Sequence, residues 1–133
     1  MKTNKALLLV VCCISVTKVF CQDAPKTIRT ISVDNFDAVT DSLRGEILID
    51  LRTPEEVKGG IIHGAMVIDY FGSDFESSIQ KLDRNKVYVL YCARGGRSGE
   101  TAEIMEKLGF RKIYNLKGGF NAWVKKNRPI RKP

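Results

Sequence analysis

Two short, mainly apolar runs stand out along the chain: ILIDL at residues 47–51, interrupted only by Asp50, and VYVLY at residues 87–91. Neither alternates with polar positions, and both are bounded by polar or turn-forming neighbours. Such runs predict strands buried on both faces. Between and around them the apolar spacing changes to that of helices. Phe36, Val39 and Leu43 share one face of a predicted helix, with Ser32 or Asp34 placed to cap it. Pro54 opens a helical turn with Glu55 and Glu56 in its first residues, where acids complement the helix dipole, and Gly59-Gly60 ends it. Phe75, Ile79 and Leu82 mark a helix within 73–82 capped by Ser73, and Thr101, Ile104, Met105 and Leu108 mark another that stops at Gly109. Short strands are predicted at 28–31, 64–68 (GAMVI) and 113–116, and Gly118-Gly119 leads into a last helix bearing Phe120 and Trp123. Strands alternating with helical stretches predict one α/β domain with a mainly parallel sheet flanked by helices. Residues 22–30 are expected to form a linker, 31–129 the domain, and 130–133 a basic tail that frays.

The first 21 residues follow another pattern. Lys2 and Lys5 precede an apolar run from Ala6 to about Val16. That run is shorter than the roughly 20 residues a bilayer crossing needs, and it has the length of a signal-peptide core. Val19 and Cys21 precede the expected cut between Cys21 and Gln22. The expectation is therefore a signal peptide over 1–21 and an exported, periplasmic protein, with no stable membrane insertion after cleavage. An N-terminal anchor, lipidation of Cys21 and secretion are the alternatives; the bulky Phe20 counts against lipidation.

Cleavage changes the composition in two ways. The formal net charge of the chain is +7, and the removed segment holds Lys2, Lys5 and Lys18 and no acid, so the net charge falls to +4. A charge of that size suits small anions at least as well as nucleic acid, and no nucleic-acid partner is expected. Cys12, Cys13 and Cys21 also leave, so Cys92 becomes the single cysteine and an internal disulfide is excluded. A lone thiol in an oxidising compartment is either a small buried residue or a reactive group.

Its neighbours favour the second. Cys92 follows directly on the run 87–91 and opens the loop Cys92-Ala93-Arg94-Gly95-Gly96-Arg97-Ser98, after which a helix begins. Ligands of open parallel sheets bind beyond the carboxyl ends of the strands. Two glycines let successive N–H groups curl inward into an anion cradle, and the helix start and two arginines add positive potential. These features favour thiolate over thiol.

The loop CARGGRS resembles the active-site loop of rhodanese domains. ILIDLRTPEE resembles the first segment of that family, with Asp50 and Arg52 in the matching places; Glu56 with Gly60, Gly64 and Ala65 resembles the second, and LKGGFNAW, with Gly118, Gly119 and Trp123, the closing one. The similarity runs in order over roughly 31–129. It implies a three-layer rhodanese-like domain and a sulfurtransferase. In that activity Cys92 takes a sulfur from thiosulfate or another small anionic donor, holds it as a persulfide, and passes it to a thiol, cyanide or a protein acceptor. The resemblance makes Cys92 catalytic and Ala93, Arg94, Gly95, Gly96, Arg97 and Ser98 the substrate-binding loop, and ping-pong kinetics should follow. Two departures stand out: Ile61 and His63 replace the usual histidine and proline of the second segment, and Ala93 stands where many relatives carry a polar group.

Asp50 and Arg52 fit a structural ion pair better than catalytic roles, His63 a surface loop, and Phe120 and Trp123 core or lid packing. No zinc spacing, P-loop or dinucleotide fingerprint occurs, so no cofactor is implied. Two rivals remain. Cysteine phosphatases of the same fold carry one more loop residue than the four that separate Cys92 from Arg97 here. A persulfide carrier or sulfide-binding module would use the same loop without rapid turnover.

Overall fold

The structure, a computed structural model, describes residues 26–132. The signal peptide and cleavage site expected at 1–21, and residues 22–25 of the linker, lie outside the described residues, and the end of the linker expected at 22–30 already belongs to a strand. Five parallel strands form the main sheet in the order β1 (Ile28–Ile31), β6 (Ile113–Leu116), β5 (Tyr88–Tyr91), β2 (Ile47–Asp50) and β4 (Met66–Val67). The helices are α1 (Phe36–Leu43), α2 (Pro54–Val57), α3 (Phe75–Gln80), α4 (Gly96–Lys107) and α5 (Gly119–Lys125).

The two apolar runs become β2 and β5, side by side in the centre of the sheet, because only a strand covered on both faces can bury every side chain. Alternation then sorts them. Ile49, Tyr88 and Leu90 face a core completed by Phe75, Ile79, Met105 and Phe110, on the side of α3 and α4. Leu48, Val89 and Tyr91 face the other core, with Trp123 and the half-buried Phe36, Val39 and Leu43, on the side of α1 and α5. The α/β architecture with a parallel sheet between helices is as the pattern predicts.

Local differences are informative. Ser32 caps a single 3₁₀ turn (Val33–Asn35), accepting from the Asn35 N–H, and α1 starts only after it. The helix expected to be capped by Ser73 begins at Phe75, with Asp74 at its N-cap and no side-chain cap bond. The tail expected to fray instead forms β7 (Ile130–Arg131), antiparallel to β3 (Ile61–Ile62). Tertiary contacts hold it. The Trp123 indole N–H donates to the Pro129 carbonyl at 2.9 Å, Arg128 lies over the Trp123 ring and pairs with Asp37, and Ile130 packs on Gly60, where a Cβ would come within 2.9 Å of its Cδ1.

Candidate active site

Cys92 leaves β5 at its carboxyl end, beside the end of β2, where the Leu51 N–H donates to the Tyr91 carbonyl at 2.9 Å. The chain turns at once into α4. Gly95 makes that turn possible: its φ of +104° is in the left-handed region, costly for any residue with a Cβ. The loop is held from behind by the start of α5. Phe120 N–H donates to the Cys92 carbonyl at 2.8 Å and Asn121 N–H to the Ala93 carbonyl at 3.0 Å. This approach needs Gly119, because a Cβ there would sit 2.2 Å from the Cys92 carbonyl oxygen. With its carbonyls drawn back to α5, the loop presents N–H groups on its other side.

Those N–H groups meet the sulfur. Gly95 N–H donates to Cys92 Sγ at 3.1 Å, and the buried Ser98 hydroxyl lies 3.6 Å from it. Burial of Cys92 pushes its thiol pKa up, but hydrogen bonding from the loop, with the amides of Ser98, Arg94 and Gly95, outweighs it, so the thiol sits below its ordinary value. The sulfur borders a concavity of about 330 Å³ lined by Glu56, Cys92, Ala93, Arg94, Gly96 and Arg97. A larger hollow, about 440 Å³, is lined by Lys26, Thr27, Arg29, Leu43, Arg111, Lys112 and Tyr114 and does not border Cys92.

The two loop arginines differ. Arg97 is committed: its two terminal nitrogens donate to both oxygens of Glu56, at 2.7 and 2.8 Å. The Arg97 guanidinium is the main reason the Glu56 carboxyl is drawn down to about 2. Glu56 also closes the capping box of α2, accepting from the Thr53 N–H at 2.9 Å, so the pair ties α4 to α2 across one side of the hollow. Arg94 is exposed and makes no ion pair among the described residues. It supplies the uncompensated positive charge at the mouth.

Of the loop residues singled out in the sequence, Ala93, Arg94, Gly96 and Arg97 line the hollow beside Cys92, while Gly95 and Ser98 stand behind the sulfur. Asp50 and Arg52 do not line it. They form a buried pair at 2.6 Å whose guanidinium also donates to the Gly60 and Glu56 carbonyls and lies 3.7 Å from the Phe120 ring centroid. That pair braces β2, α2 and α5 beneath the loop. His63 is exposed in the turn after β3, and Trp123 is buried edge-on to Phe36. Sequence reasoning passed over Asn115, whose side chain bonds both Ser98 and the Gly95 carbonyl. Its signal was available: in the strand IYNL, a polar residue occupies a position that alternation assigns to a core face.

Comparison with known proteins agrees with this fold. The family model "Rhodanese-like domain" matches residues 35–126. An uncharacterised protein of Bacillus subtilis, YqhL, is 37% identical over 98 residues, which cover 74% of each chain. A protein of Allochromatium vinosum named sulfurtransferase is 30% identical over 87 residues, 65% of this chain and 79% of that one. The crystal structure of a rhodanese-related protein from Thermoplasma volcanium superposes with a TM-score of 0.66 at 25% identity, over 79% of this chain and 99% of that one. With the family model spanning α1 through α5, the Cys92 loop included, the chain belongs to the rhodanese-like domain family.

Proposed function

We propose that the chain is a sulfurtransferase that carries a sulfane sulfur on Cys92. The observation that carries this reading is the position of Cys92 Sγ: it accepts a loop amide at 3.1 Å and opens onto a small hollow whose free cation is Arg94. In the first half-reaction the Cys92 thiolate attacks the outer sulfur of thiosulfate. A new S–S bond forms, the old one breaks, and sulfite leaves with its electron pair. Arg94 draws the anionic donor in, and the loop N–H groups hold the negative charge of the persulfide that results. In the second half-reaction cyanide or a thiolate attacks the outer sulfur, and thiocyanate or a new persulfide departs as the Cys92 thiolate is restored. Each half-reaction is a displacement at sulfur and needs no cofactor.

The Arg97–Glu56 pair weighs against a phosphatase. An arginine that must wrap a phosphate would first have to leave a bidentate carboxylate. A persulfide carrier that serves a protein acceptor would share every feature of the loop and differ in rate. Export on residues 1–21 is part of the same reading, supported by the basic start and short apolar run; a mature N-terminus at Gln22 is the expected result of mass analysis of the exported protein.

The test is intact mass spectrometry after thiosulfate, then after cyanide, with Cys92→Ser alongside. Gain of one sulfur that is lost to cyanide as thiocyanate, and is absent from Cys92→Ser, is the expected result. Rapid repetition of the cycle marks a transferase and slow release a carrier. No sulfur gain would overturn the thiosulfate reading.

A further inference from the structure

The Ser98 hydroxyl stands within reach of two acceptors and has one hydrogen to give. One is Cys92 Sγ at 3.6 Å; the other is Asn115 Oδ1 at 2.7 Å. Which acceptor receives the hydrogen follows from the rest of the cluster. Alternation along β6 sends Asn115 to the same face as Ile113, toward the first turn of α4. There Asn115 Nδ2 lies 3.2 Å from the Gly95 carbonyl oxygen, which can only accept. The amide is therefore oriented with Nδ2 toward Gly95 and Oδ1 toward Ser98. A side chain on Gly99 would come within 3.4 Å of Nδ2, so the glycine leaves the amide its place. At 2.7 Å the hydroxyl hydrogen belongs to Oδ1, and Ser98 turns lone pairs, not a hydrogen, toward the sulfur.

We infer that Asn115 is a positioning residue that holds the Ser98 hydroxyl hydrogen away from Cys92, so that the thiolate is stabilised by the loop amides without the hydroxyl. The inference rests on the reading of Cys92 as the reacting nucleophile and deepens it. A thiolate with one hydrogen-bond donor fewer is the better nucleophile, because nucleophilicity falls as a thiol becomes more acidic. The charged groups around the sulfur leave this role to the hydroxyl. Arg97 faces Cys92 from α4, with its charge matched by Glu56 of α2, and Arg94 extends from the loop into solvent. Beside the sulfur β6 contributes the uncharged Asn115, and α5 contributes backbone N–H groups to the far side of the loop.

The experiment is an ultraviolet thiolate titration of the full chain, each variant corrected by its Cys92→Ser counterpart to remove the other cysteines. Asn115→Ala releases the hydroxyl, and the Cys92 midpoint should move down by about one pH unit, the worth of one hydrogen bond to a charged group. In a Ser98→Ala background the same change should leave the midpoint in place. Asn115→Leu, which keeps the volume and lacks the acceptor, gives the same pair of results should the alanine variant fold poorly. An unchanged or upward midpoint overturns the inference, since mere loosening of the loop moves the thiol back toward its ordinary value. A downward shift of equal size with and without Ser98 also overturns it, because the effect would then run through Gly95. No sulfur donor enters this titration. Failure to load sulfur from thiosulfate therefore sinks the transferase reading alone, and a missing thiolate shift sinks the Asn115 role alone.

Discussion

Two arginine–carboxylate pairs brace the region around Cys92, and they do different work. Arg52 and Asp50 sit beneath the loop, 3% and 0% exposed, with every direction of the guanidinium occupied by a carboxylate, two carbonyls or the Phe120 ring. Arg97 and Glu56 stand at the rim of the hollow, 19% and 34% exposed. The same two chemical groups thus meet once inside the protein and once at its surface. Removing one partner inside strands a charge without water. Removing one at the rim lets solvent replace it. The buried pair therefore belongs to the architecture and the rim pair to the shape and charge of the site.

The largest expected effect tests the buried half of that contrast. Asp50→Ala leaves the Arg52 guanidinium buried without its counter-ion and should lower unfolding free energy by about 3–5 kcal/mol in urea denaturation. A loss below about 1 kcal/mol would mean that water reaches Arg52 and that the two pairs are alike. Next in size is the unpaired Arg94. Arg94→Ala should lower kcat/KM for thiosulfate by about tenfold, the worth of one charge-assisted contact, and leave reaction with a neutral persulfide donor nearly unchanged. Equal losses for both donors would show that Arg94 shapes the loop and does not attract charge.

The rim pair should give a smaller effect with a definite pH signature. Glu56→Gln should cost about 1 kcal/mol or less at neutral pH. The Glu56 carboxyl is drawn down to about 2 from an ordinary 4.5, chiefly by Arg97. Its stabilising contribution is therefore complete above pH 4.5 and disappears as pH falls through about 2. Melting curves of wild type and Glu56→Gln should converge over that window; a constant gap would place the effect outside the ion pair. The smallest effect belongs to the exposed Glu55–Lys58 pair on the same helix, where Glu55→Gln should change stability by no more than about 0.5 kcal/mol.

Much of the frame was legible because it depends on local pattern. The apolar runs at 47–51 and 87–91 announced central strands, and the period of Thr101, Ile104, Met105 and Leu108 announced α4. The glycines at 95–96 and 118–119 marked the turns at which the chain reverses into helices. The tail was misjudged for the opposite reason. KKNRPIRKP is polar and basic, and nothing within it predicts that Trp123, Asp37 and Gly60 hold it against β3. The difference in charge was no more legible, since two arginines in a loop look equivalent until one is found bound to Glu56.

By itself the sequence determined the five strands of the main sheet and the helices around it, where the loop bearing Cys92 falls, and that glycines allow it to curl. These follow from periodicity and from backbone conformations that only certain residues adopt. The tertiary structure decided what that loop touches. It placed α5 against the Cys92 and Ala93 carbonyls, neutralised Arg97 with Glu56 while leaving Arg94 free, and brought Asn115 from another strand to the Ser98 hydroxyl. Contacts between residues far apart in the chain carry no periodic signal, because they depend on how strands and helices come together rather than on the order of residues within any one of them.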